Sequence, residues 1–74
     1  MKIIKHYVFE EDEIKLFHKF LKENNLSYRK YGKIIGISGA FVFDLAKGRR
    51  GFTEKTYEKF MKGGFGEYYN LNQR

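Results

Sequence analysis

The run from Ser38 to Arg50 holds the residues of this chain whose types and spacing could do chemistry. Ala40, Phe43, Asp44 and Lys47 recur at the spacing of one helical face. Ser38 and Gly39 stand at the head of that run, and Arg49 and Arg50 follow directly after Gly48. Upstream, Tyr28, Arg29 and Lys33 add a hydroxyl and two cations. Groups of this kind grip anions and donate hydrogen bonds. They do not make a catalytic set. "GISGA" lacks the closing glycine of a nucleophile elbow, and no base accompanies Ser38. Neither "GKIIGISG" nor "GGFG" places a lysine and a hydroxyl as a phosphate loop requires. There is no cysteine, and His6 and His18, the only possible imidazole ligands, stand twelve positions apart. The expectation is a non-enzymatic protein with no cofactor, no metal and no small-molecule substrate.

The placement of charge points to the kind of partner. Of the net +6, all is carried between Ser27 and Lys62, where Arg29, Lys30, Lys33, Lys47, Arg49, Arg50, Lys55, Lys59 and Lys62 face only Asp44, Glu54 and Glu58. The flanking segments balance to zero. Basic charge gathered in one segment suits a polyanion, although lysine-rich helix faces also serve solubility. The chain of 74 residues reads as one domain, residues 1–74, near the lower limit of what a single core stabilises. Its eight Phe and six Tyr supply most of the core volume, and dimerisation is a common supplement at this size. "MKIIKHYVF" is too short an apolar run for a signal peptide or a membrane span. A soluble cytoplasmic protein without membrane contact is expected.

The elements that must position these residues are mainly helical. Residues 2–9 alternate loosely and predict a short strand. Glu10 then caps a first helix running to about Asn24, with Phe9 and Ile14 as a hydrophobic staple and Ile14, Phe17 and Leu21 facing inward. Leu16 and Phe20 widen that face, while Lys15, Lys19 and Lys22 lie opposite. Ser27 caps a second helix, Tyr28 to Ile35, stopped by Gly36; Ser38 caps a third, Gly39 to Lys47, stopped by Gly48. Phe41, Val42 and Leu45 form the inner stripe of the third helix. A Thr53 cap with a Phe52–Tyr57 staple opens a fourth helix to Lys62, with Phe60 and Met61 inward. "GGFG" breaks the chain, and residues 67–73 read as a closing strand.

The second and third helices, joined through "GIS", have the spacing of a helix-turn-helix over residues 28–47. Gly32 supplies the small residue at the crossing, Gly36 the positive φ of the turn, and Ile37 the apolar plug, with Val42 and Leu45 holding the second member down. On these residues, "LSYRKYGKIIGISGAFVFDLAKGRR" resembles the helix-turn-helix of the Cro and repressor proteins of temperate phages and their plasmid and bacterial relatives. The likeness covers residues 12–62. It implies a lambda-repressor/Cro-like domain of four short helices with terminal strands that support a homodimer. It further implies a transcription regulator of a genetic switch in a bacterial host cell, with double-stranded DNA as partner. Phosphate contacts would come from the start of the Tyr28 helix, and base contacts from Ser38, Gly39, Ala40, Phe43, Asp44 and Lys47.

Two departures shape the functional expectation. Tyr28 stands where the family often has an amide that clamps a phosphate. The outward face of the third helix has no Arg, Asn or Gln, the side chains that discriminate bases by about 1–3 kcal/mol each. Asp44 would also point a carboxylate at a polyanion. Phe43 then has three readings: covered by the closing strand, in contact with a thymine methyl, or the anchor of a protein interface. Two functions follow. The chain binds operator DNA itself, or it is an antirepressor that uses the same surface to cover a partner phage repressor. Arg49 and Arg50 would grip phosphate in the first case and an acidic surface in the second.

Overall fold

The computed structural model describes residues 7–72, which are mainly helical. The helices are α1 (Glu11–Glu23), α2 (Tyr28–Ile35), α3 (Gly39–Ala46), α4 (Glu54–Phe60) and α5 (Gly66–Asn72). Their starts follow from local chemistry. At α1 the Glu10 backbone N–H donates to Glu13 Oε1 at 2.7 Å. Ser27 Oγ accepts from the Lys30 N–H at 3.1 Å, and Ser38 Oγ from the Phe41 N–H at 3.2 Å. Thr53 and Thr56 cap α4 reciprocally, at 2.9 and 3.2 Å. Each bond satisfies an amide at the helix start that has no intrahelical acceptor. The expected staple over the α4 cap is present, with the Phe52 and Tyr57 rings 5.5 Å apart at 90°.

Aromatic rings fill the centre. Phe9, Phe17, Phe20, Tyr31, Phe52, Phe60 and Phe65 are buried, with Leu21, Val42, Leu45 and Ala46 between them. Phe17 touches rings from three other elements: Tyr31 at 5.2 Å, Phe60 at 4.8 Å and Phe65 at 5.0 Å. The buried Tyr31 hydroxyl donates to the Phe60 carbonyl, so its polar atom is satisfied where water is excluded. Burial pushes that phenol up to about 12, against a smaller lowering by a backbone hydrogen bond from Phe65.

Two expectations about the chain ends are corrected or fall elsewhere. The closing strand expected at 67–73 is helix α5 as far as Asn72; residues 73 and 74 lie outside the described residues. The fourth helix stops at Phe60 rather than Lys62, and the chain kinks through Met61–Phe65, where Gly64 takes φ 110°. Phe65, Tyr68 and Tyr69 then turn back on the core, Tyr68 lying 5.2 Å from Phe20. Those tertiary contacts override the strand preference of "EYYNLNQ". Of the strand expected at 2–9, residues 2–6 lie outside the described residues. Tyr7 makes an isolated antiparallel bridge to Phe52, with bonds of 3.1 and 2.6 Å. Among the described residues there is no ladder, and no helix is long and apolar enough to cross a membrane.

Candidate functional site

α2 and α3 pack closely on one another, and glycines set the approach. A Cβ on Gly32 would collide with the Ile37 carbonyl oxygen, and one on Gly39 would lie 3.0 Å from Arg29 Cα. Gly36 closes the turn at φ 79°, and the Gly36 and Ile37 amides both return to the Gly32 carbonyl, at 2.7 and 2.8 Å. Gly39 is therefore a packing residue as well as a member of the expected reading face. Val42, Leu45 and Ala46 anchor α3 in the core. Phe41, expected on that inner stripe, is only half-buried, because the i, i+3, i+4 triplet 42–45–46 leaves it on the flank. Ile37 is likewise half-buried while packing on the core.

The end of α3 aims the arginines. Lys47 is the cap residue, Gly48 takes φ 75°, the Gly48 amide donates to Leu45 at 3.2 Å, and the Arg49 amide to Asp44 at 2.9 Å. This Schellman closure turns the chain back over the helix it ends. The Arg49 guanidinium accordingly stands 5.6 Å from the Phe43 ring centroid, as does the Lys47 ammonium. Arg50 sits 5.0 Å from the Phe41 ring. A cation held over a ring gains roughly 0.5–1 kcal/mol at an exposed site and keeps its full charge for an anion.

The expected site residues thus fall into two groups. Around one ring stand Tyr28, Phe43, Lys47 and Arg49; Tyr28 meets Phe43 edge-on at 5.2 Å and Phe17 at 6.3 Å. Phe43 is half-buried by Tyr28, not by a C-terminal strand. The second group, Ser38, Ala40, Asp44 and Arg50, lines an open depression of about 290 Å³ with Phe41. Arg29 flanks the head of α3 through Gly39, whereas Lys33 stands exposed in neither group. Phe41 is the functional candidate that the sequence pattern assigned elsewhere; the 42–45–46 spacing was the signal that could have moved it. Among the described residues none of the nine cations from Arg29 to Lys62 is ion-paired, and no cluster of His, Asp and Glu could hold a metal. No family model matches the chain, and neither does a curated protein or a solved structure.

Proposed function

We propose that this chain is a small helix-turn-helix regulator of the Cro/repressor type, acting in a phage-type genetic switch and binding operator DNA through α3 and its basic flanks. The observation that carries this reading is the set of unpaired cations held at the end of α3, with Lys47 and Arg49 on Phe43 and Arg50 on Phe41. Fixed cations beside a helix of the right size are what backbone gripping needs. Affinity would come chiefly from phosphates, and sequence preference would be modest, because the outward face offers no bidentate donor. The test is DNA binding as a function of salt. Arg49→Ala with Arg50→Ala should lower the logarithmic salt slope by about one for every phosphate that these side chains neutralise. An unchanged slope would remove these arginines from the interface.

A second reading is favoured by the depression beside Phe41, where small Ala40 and the Asp44 carboxylate adjoin that half-buried ring. Such a surface suits a partner repressor whose own face attracts phosphate, making the chain an antirepressor. Asp44→Lys separates the two. It should strengthen DNA binding by adding a phosphate partner, and it should weaken a repressor complex. A repressor complex that is indifferent to Asp44→Lys would discard the antirepressor reading.

A further inference from the structure

α1 carries four acids and three lysines, and the fold turns two of the acids away from the lysine flank. Glu13 accepts from the Tyr7 and Tyr69 hydroxyls, and Glu23 accepts from the Tyr68 hydroxyl at 3.1 Å. Both carboxylates are thereby turned toward α5. Glu11 pairs with Lys15 at 3.7 Å. On the other flank Lys15, His18, Lys19 and Lys22 are exposed, and they share an open depression of about 400 Å³ with Lys47 from the end of α3. Its floor is Ile14, whose Cδ1 would lie 3.4 Å from a Cβ on Gly48, so α1 and the end of α3 are packed together at this point. Lys47 belongs to both surfaces, lining this depression and standing over Phe43. The basic surface therefore runs without a break from Arg49 across Phe43 and Lys47 onto α1.

We infer that the α1 flank is a second phosphate-contact surface, which grips the backbone of duplex DNA beyond the stretch that faces α3. The inference rests on the DNA-binding reading. Lys15 and Lys22 are seven residues apart, or about 10 Å along the helix axis. A single DNA strand carries a phosphate about every 3.4 Å of axis. The row therefore matches several consecutive phosphates better than one small anion. Lysine suits this task because its ammonium reaches on a flexible stem and needs no fixed geometry. The His18 imidazole adds an N–H donor within the row.

The test compares two duplexes. One is about 10 base pairs long, close to the 39 Å longest dimension of the domain; the other is about 30 base pairs. The variant combines Lys15→Gln, Lys19→Gln and Lys22→Gln, all exposed positions, with retained folding checked by its melting curve. A control removes the same charge from the other side of the sequence motif, through Lys55→Gln, Lys59→Gln and Lys62→Gln. On the long duplex the α1 variant should bind about tenfold or more weakly and lose roughly two to three from the salt slope. The short duplex should lose much less, and the control should lose less of the slope than the α1 variant. A wild-type slope in the α1 variant on the long duplex overturns the inference and leaves the proposed function standing. Equal losses on both duplexes, or an equal loss in the control, also overturn it. Failure of the wild-type protein to bind either duplex sinks both readings together.

Discussion

Two helix pairs are joined at glycine, and they differ in what most of those glycines meet. Between α2 and α3 the glycines face backbone: Gly32 lies against the Ile37 carbonyl and Gly39 against Arg29 Cα. Between α4 and α5, Gly63 and Gly64 face side chains, while a Cβ on Gly66 would meet the Met61 carbonyl oxygen at 2.7 Å. A Cβ on Gly63 would lie 2.5 Å from Ile35 Cγ2 and 2.8 Å from the Tyr31 phenol, and one on Gly64 would meet the Phe20 ring at 3.5 Å. Backbone is shared by every sequence, so a turn packed on it can be specified locally by glycines and caps. A turn packed on side chains depends on which distant residues arrive. The first pair therefore carries the candidate interface at a fixed angle, and the second acts as a clasp on the core.

The largest expected effect tests the first pair. Gly32→Ala drives a methyl into a carbonyl that the Ile37 peptide holds in the turn, and should cost about 3 kcal/mol or unfold the domain in a denaturant titration. A cost below about 1 kcal/mol would show that the α2–α3 crossing gives way easily, and the comparison would collapse. Gly63→Ala should cost less, about 1–2 kcal/mol, because Ile35 can change rotamer even though Tyr31 is locked.

The smallest effect sharpens the clasp. Tyr31→Phe removes the hydrogen bond to the Phe60 carbonyl and should cost about 1 kcal/mol near neutral pH. It should also change the alkaline limb of stability. The phenol sits near 10 in the unfolded chain and is pushed up to about 12 when folded. Its contribution is thus complete below about pH 10 and lost as pH climbs through about 12. Tyr7, Tyr57 and Tyr69 are raised as well, chiefly by burial, so the wild-type protein should lose stability across this window. Stability curves for Tyr31→Phe and wild type should converge as pH rises; parallel curves would mean that Tyr31 does not titrate with unfolding.

This contrast also explains what could be read in advance. Ser27, Ser38 and Thr53 each cap the helix they were expected to cap, and Gly36 and Gly48 take the positive φ that ends the preceding helix. Those signals act within a few residues. The segment after Gly66 has no such signal, and its tyrosines favour a strand locally. It is helical because Phe65 and Tyr68 reach Phe20, while Tyr69 reaches Glu13 across the fold. The candidate interface divides in the same way. Most of its candidate members could be named from spacing, Phe41 excepted. The placement of Lys47 and Arg49 on Phe43, and of Tyr28 against the same ring, depends on side-chain directions set by the helix crossing.

Main-chain contacts also fix α3 at its far end, where a Cβ on Gly48 would come within 2.8 Å of the Phe9 carbonyl oxygen. With Gly32, Gly39 and Gly48 holding both ends, and with Val42, Leu45 and Ala46 below, the outward positions 40, 44 and 47 contribute little to holding the helix in place. Selection can therefore rewrite them one at a time without first raising stability elsewhere. A lineage built on this scaffold is free to vary these outward residues while keeping its shape.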